Sequence, residues 1–222
     1  MSTYIGLDGF RRGWVAVYID DNGDHFFDYS PELRRLLSGT FKRAMLDVPI
    51  GLPDKGYRQC DIEARGVLGT SVFLGARRSL IGFDSFNEAN KYYWRTEGAG
   101  WGISQQLWGI RDKIAQADAL VTPKTQHRIC EAHPEAVFRR LNSGQRELDS
   151  KHTETGWKQR LDLLNANGFG KADRWMDLRF GTGIGRDDLI DACACAVAAR
   201  DSQSAFGGKE SDTRGLRMEI NF

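Results

Sequence analysis

The chain has 222 residues, which suits one domain, or one domain with an insertion. Hydrophobic residues make up 41% and charged residues 27%, a soluble globular composition, and 31 basic against 30 acidic residues leaves a net charge of +1. That balance excludes a supercharged nucleic-acid-binding tail but leaves room for a local basic patch facing a local acidic one.

Residues 3–7 form a short apolar run that ends at Asp8-Gly9, a turn signal. No leader segment is expected before this first strand, because the opening residues run straight into it. Gly13–Ile19 reads as a second strand. Asp20-Asp21-Asn22-Gly23 is a hairpin turn in which Asn-Gly favours type I′ geometry, and 25–29 is the returning strand. Ser30-Pro31-Glu32 opens a helix, with Ser as cap and Pro at the first helical position, which runs through Leu33, Leu36 and Leu37 and stops near Gly39. Residues 43–48 are a fourth strand, ended by Pro49 and Gly51. Three strands joined by short turns make an antiparallel meander, and the fourth, returning after a helix, pairs in parallel with the first. The expectation is a mixed α/β sheet.

The middle reads as helical, with segments at 60–67, 85–96 and 104–119. A short strand at 127–131 precedes a helix opened by Pro134, and 153–164 is a further helix. The strongest helix is 187–200, Ala-rich, with Asp187 and Asp188 at the end where the macrodipole favours negative charge. Residues 201–213 read as a polar, loose stretch and 215–222 as a last short strand. No apolar run reaches the ~18 residues of a membrane span, so no membrane partner is expected. Cys60, Cys130, Cys193 and Cys195 form no C-x-x-C pair, which argues against a disulfide framework or a Cys-rich zinc site and for a reduced, cytoplasmic setting.

The carboxylates carry the chemistry. Asp8 ends the first strand, Asp47 lies near the end of the fourth, Glu131 ends the late strand, and Asp187, Asp188 and Asp191 sit on the first turns of the last long helix. Asp188 and Asp191 are three apart and share a helix face. If the strands of Asp8 and Asp47 are neighbours, those two acids meet at one sheet edge. Two carboxylates ~4 Å apart repel by about 4 kcal/mol at an effective dielectric near 20. A cluster of them survives by protonation or by binding a divalent cation. All-oxygen ligands suit Mg²⁺ or Mn²⁺, and two such ions side by side support in-line displacement at a phosphodiester. Each acid also has a plainer reading. Asp8 suits a turn, Asp47 a cap at Pro49, one of Asp187 and Asp188 a helix N-cap, and Glu131 a partner of an Arg or His133. Asp191, among Ala192, Cys193 and Ala194, is costly there without a partner.

The stretches GLDGFRRGW (6–14), LDVPIGLP (46–53), CDIEAR (60–65), CEAHPEAVF (130–138), DDLIDACACA (187–196) and GLRMEI (215–220) resemble the family catalogued as domain of unknown function 429, described as predicted nucleases of the RNase H fold. The resemblance spans nearly the whole chain. It implies an α/β fold with a five-stranded mixed sheet, order 3-2-1-4-5, flanked by helices on both faces, as a single RNase H-like domain. The last helix is also similar to the closing Asp-x-x-Asp-Ala of RuvC-like resolvases, matched by Asp188, Asp191 and Ala192. The implied catalytic acids are Asp8, Asp47, Asp188 and Asp191, with Glu131 an extra metal ligand or a substrate contact. A helical insertion, roughly 54–126, departs from the plain fold and forms a lid or a second small lobe. Lys151, Gly156 and Arg160 match a further family pattern of unassigned role.

Arg11-Arg12 and Arg77-Arg78 offer bidentate forks for a substrate phosphate, or are solvated surface charge. His133 suits a metal ligand, a proton carrier or a cap beside Pro134, and Arg65 suits an ion pair with Asp61. Tyr92, Tyr93, Trp94, Trp101 and Trp108 offer stacking faces for bases, or pack within the helical segment. The expected activity is metal-dependent hydrolysis of a phosphodiester in nucleic acid, the near-neutral charge favouring a short, structured or single-stranded substrate over long duplex. An actin-like phosphotransferase and a non-catalytic binding protein are the alternatives. The first of these normally duplicates the fold, and here one copy is readable.

Overall fold

The computed structural model describes residues 3–143, 148–170 and 172–222. Met1 and Ser2, part of the opening segment read above, lie outside the described residues. The chain divides into two compact units. The first holds the residues up to Asp47, Arg128–Gln203 and Phe222, and the second holds Val48–His127 and Ser204–Asn221. The second unit thus takes the stretch between the fourth and fifth strands together with residues 204–221.

The first unit is built on a five-stranded mixed sheet of order β3-β2-β1-β4-β5, with β1 Tyr4–Phe10, β2 Gly13–Ile19, β3 His25–Ser30, β4 Arg43–Leu46 and β5 Ile129–Glu131. β1–β2 and β2–β3 are antiparallel hairpins, and β1–β4 and β4–β5 are parallel. Asp8-Gly9 does not end β1. The strand continues to Phe10, with Asp8 opposite Val15, and the chain turns at Arg11-Arg12. The turn chemistry of Asp-Gly is overridden by pairing to β2.

The β2–β3 connection is also not a two-residue type I′ turn. Gly23 N–H donates to Asp20 O, Gly23 alone adopts positive φ, and the Asp20 carboxylate accepts from the N–H groups of Asn22 and Asp24. This is a longer loop closed by a glycine in the left-handed region, with Asp20 as its internal cap. The helix expected after Ser30 shrinks to one turn, α1 Leu33–Leu36. Ser30 ends β3, and its hydroxyl only steadies the Glu32 N–H at 3.1 Å.

Helices α6 Pro134–Leu141, α7 Glu154–Ala166, α8 Ala172–Leu178 and α9 Arg186–Asp201 complete this unit. Thr153 caps α7 by accepting from Gly156 N–H. The sequence reading did not foresee α8, whose seven residues are too few to show a helical period. In α9 every residue from Leu189 to Ala199 is buried, because small side chains let it lie flat on the sheet. The closest approach is at Gly6 of β1. A methyl group there would stand 2.0 Å from Ala196 N and 2.1 Å from Ala192 O, so glycine is required by contact. Val15, Val17, Met45, Cys130, Val137, Phe138 and Trp175 fill the core around this helix.

The second unit contains α2 Gln59–Leu68, α3 Phe86–Glu97, α4 Gln105–Gly109, α5 Arg111–Leu120 and a hairpin of β6 Ala205–Ser211 with β7 Arg217–Asn221. The helix expected over 104–119 breaks at Ile110 into α4 and α5. The stretch expected to be loose, 201–213, contributes β6. Its polar residues and the positive-φ pair Gly207-Gly208 hide a strand whose register slips between Gly207 and Ser211. Asp61 pairs with Arg58, not with Arg65, which instead donates to Val72 O. Among the described residues no helix is long and apolar enough to cross a membrane. The four cysteines are buried, and none of them forms a disulfide among the described residues.

Candidate functional site

The acids come together through register. Leu7 of β1 is paired with Leu46 of β4, and Asp47 N–H donates to Leu7 O at 3.0 Å. Asp8 and Asp47 are the next residues of two parallel strands, so their side chains leave the sheet on the same face. That face belongs to α9, because Gly6, two residues before Asp8, is where α9 touches β1. The first turns of α9 carry Asp188 and Asp191. Glu131, expected as a further ligand, is buried at the end of β5 in register with Leu46 of β4, so its side chain leaves the face opposite to that of Asp8 and Asp47 and does not join them.

Asp47, Asp188 and Asp191 all bear electrostatically on Asp8. Burial, then the charges of Asp47, Asp191 and Asp188, push Asp8 well above the usual carboxylate range. Asp8 also accepts a hydrogen bond from its neighbour Gly9 N–H at 2.7 Å. Asp47 keeps some accessible surface but is surrounded by protein. Its burial pushes it up to about 7, with Lys151 opposing and Glu135 adding to the rise. Burial pushes Asp191 up to about 6 against the pull of Lys151, with Asp47 and Glu135 contributing. Asp188 is raised by burial, opposed by the Gly185 N–H that donates to its Oδ2 at 2.7 Å. Gly185 is the N-cap of α9, and Asp188 reaches back to it from the third helical position. Asp187 is half-buried beside His152 and Arg186.

Two residues that the acidic pattern alone did not single out join the cluster. Lys151 Nζ donates to Asp191 Oδ2 at 2.7 Å. Glu135, on the first turn of α6, is gripped by the Arg160 fork, with Nε to Oε1 at 3.0 Å and Nη2 to Oε2 at 2.7 Å. Spacing from the family pattern marked Lys151 and Arg160 in the sequence, but nothing local marked Glu135 as facing Asp47.

The basic candidates separate. Arg11 and Arg12 are exposed at the β1–β2 turn, beyond Asp8 on the same strand, and the Arg12 side chain packs along Gly183 just ahead of α9. Arg77 and Arg78 belong to the second unit and are engaged internally, neither solvated nor open as a free fork. Arg77 is fully buried, pairs with Glu97 at 3.0 Å, donates to Gly75 O and Trp101 O, and stacks on Tyr57 and Tyr93. Arg78 bridges Asp118 at 2.6 Å and Asp212 at 2.5 Å. His133 caps α6, its Nδ1 accepting from Glu135 N–H at 3.3 Å. Of the aromatic residues, Tyr93 is core, while Tyr92, Trp94 and Trp101 are exposed.

By chemistry alone, these are donors of the kind a hard divalent cation takes. The donors are all carboxylate oxygens, their charges repel within a buried site, and Asp191 Oδ1 is buried without a hydrogen-bond partner. As they stand, however, no three His, Cys, Asp or Glu side chains among the described residues are arranged to hold an ion. One oxygen of Asp191 is taken by Lys151.

This arrangement, acids from two adjacent parallel strands and a helix laid across them, defines a class of α/β protein with an acidic site at the carboxyl edge of its sheet. Residues 6–207 match the family described as Protein of unknown function (DUF429), and the chain belongs to that family. No curated protein and no solved structure matches it.

Proposed function

We propose that the chain is a metal-dependent phosphodiesterase acting on nucleic acid, with Asp8, Asp47, Asp188 and Asp191 as its catalytic acids. The observation that carries this reading is the convergence of Asp8, Asp47 and Asp191 from β1, β4 and α9 into one buried, mutually repelling group. Such a group costs stability unless a cation offsets it, and a fold does not retain it for packing. Asp8, Asp47 and Asp191 would hold Mg²⁺ or Mn²⁺, with Asp188 at the margin, while Glu131 lies on the other face of the sheet. When bound, paired ions of this kind supply Lewis acidity that activates water towards phosphorus and stabilises the departing oxygen.

The chain's own residues do the rest. Burial under α9 keeps competing water from the carboxylates and strengthens their hold on cations. Arg11 and Arg12, exposed beyond Asp8, offer guanidinium forks to the flanking phosphates and neutralise charge gathering on the reacting phosphoryl group. Hydrolysis forms a bond from the water oxygen to phosphorus and breaks one P–O bond, and the water proton ends on the leaving oxygen.

The test is a panel of short single-stranded, hairpin and duplex DNA and RNA, with mononucleotides, incubated with Mg²⁺, Mn²⁺ or chelator. Metal-dependent cleavage that is lost in Asp8→Asn and Asp47→Asn supports the reading. Cleavage that survives in both variants removes these acids from the chemistry. Absence of cleavage on every substrate, with metal shown to bind, leaves a cation-binding protein without nuclease activity and refutes the proposal.

A further inference from the structure

Lys151, Gly156 and Arg160 lie within ten residues of one another, and the structure joins them in one device. Gly156 lies on the first turn of α7 directly beneath the loop that precedes the helix. A methyl group on it would stand 2.2 Å from Ser150 O and 2.5 Å from Asp149 O, so only glycine lets that loop settle. Arg160, one turn further along α7, donates to Asp149 O at 2.9 Å and to Gly156 O at 2.8 Å while its other nitrogens grip Glu135. Gln159 accepts from Asp149 N–H at 2.8 Å. Thr153 closes the turn through Ser150 O. The loop is therefore pinned on both sides of Ser150, and Lys151 is the next residue. Its side chain keeps a third of its surface, so it has solvent to return to, yet its Nζ lies on Asp191 Oδ2.

We propose that Lys151 is a resident cation that competes with the divalent ion for Asp191, releasing that carboxylate only when metal binds and so setting the metal affinity of the site. This rests on the metal reading above. A +1 ammonium that close to a carboxylate oxygen and a divalent ion on the same carboxylate repel each other, so occupancy by one disfavours the other. The reach of the lysine supports the assignment. Its charge opposes the upward shift of Asp8, Asp47, Asp188 and Asp191 alike, whereas Arg179 acts among these four on Asp188. Gly156 and Arg160 act through Lys151 as positioning residues. They hold its loop at the distance from which the ammonium reaches Asp191.

Calorimetric titration of the intact protein with Mn²⁺ tests this on wild type, Lys151→Met and Lys151→Arg. Lys151→Met keeps the apolar stem and removes the charge. It should bind Mn²⁺ about tenfold more tightly, within the usual range of coupling between two ligands, while Lys151→Arg should return the affinity towards wild type. In parallel, brief acetylation of wild type read by mass spectrometry should find Lys151 protected without Mn²⁺ and reactive with it. Exposed Lys124 serves as the internal reference. This arm decides the matter if Lys151→Met does not fold. Equal or weaker Mn²⁺ binding by Lys151→Met, or acetylation of Lys151 indifferent to Mn²⁺ in a wild type that binds it, overturns the competition while leaving the metal reading intact. Failure of wild type and Lys151→Met alike to bind Mn²⁺ overturns both.

Discussion

Asp191→Asn separates a metal ligand from a structural acid. The side chain is 6% exposed, accepts from Lys151 at Oδ2, and has no hydrogen-bond partner at Oδ1. Burial, opposed by Lys151 and aided by Asp47, lifts it from the ordinary 3.8 to about 6. At 1.36 kcal/mol per pH unit, the ionised form at pH 8 therefore carries a cost of about 3 kcal/mol that the unfolded chain does not. Asn removes that cost, keeps an oxygen for Lys151, and puts an amide where the orphaned Oδ1 stood. In chelator at pH 8 the variant should be at least as stable as wild type and up to about 3 kcal/mol more so. At about 2–4 °C per kcal/mol for a chain of this size, its Tm should be unchanged or several degrees higher. Mn²⁺, which should raise the Tm of wild type, should do little for it, and any metal-dependent cleavage should fall by roughly 10²-fold or more. Thermal melts in chelator and in Mn²⁺ on one preparation read all of this. A variant destabilised by about 1–3 kcal/mol, as loss of a structural hydrogen bond would give, and still shifted upward by Mn²⁺ would refute the reasoning.

The same electrostatics set a pH dependence. Asp47 and Asp191 titrate higher in the fold than at their ordinary 3.8, so the native state holds the extra protons. In chelator, stability should be greatest at and below about pH 4 as far as these acids contribute, and fall as pH rises through about 6 to 7. Urea melts at pH 5 and 8 check this, and an Asp47→Asn chain as steep as wild type would count against it. Saturating Mg²⁺ or Mn²⁺, at about a hundred times its dissociation constant, should add about 2.7 kcal/mol at pH 8, read as a Tm shift against chelator. Gly6→Ala should cost more than the ~1–3 kcal/mol of ordinary overpacking, because the new methyl meets α9 backbone rather than a flexible side chain. Gly39→Ala, in open space, should be nearly neutral by the same urea melt. Arg160→Met should cost roughly 2–3 kcal/mol, somewhat below the value for a fully buried pair since Glu135 is partly exposed, and adding Glu135→Gln should recover part of it. A double variant no better than the single would show that the Arg160 contacts to the 149–156 loop dominate.

Alternating and periodic hydrophobicity was enough to place β1 to β5 and the helices that open at Ser85, Pro134 and Thr153. With the rule that a strand returning after a helix pairs in parallel, the first four strands followed, and the resemblance supplied the order 3-2-1-4-5. Asp8, Asp47, Asp188 and Asp191 drew attention in the sequence because each reads there as standing at a strand end or helix start, where a carboxylate needs an explanation. What stayed hidden depends on partners far along the chain. Asp8 reads locally as a turn and becomes a strand residue only through β2. Arg77 and Arg78 look like a phosphate grip until Glu97, Asp118 and Asp212 claim them. β6 exists because β7 lies beside it, and its glycines give no strand signal alone. Lys151 meets Asp191 across 40 residues, and Arg160 meets Glu135 across 25. Local propensity is written in neighbouring residues and can be read from them. The pairing of buried charges is decided only when packing removes water and leaves each charge the partners that tertiary structure brings within reach.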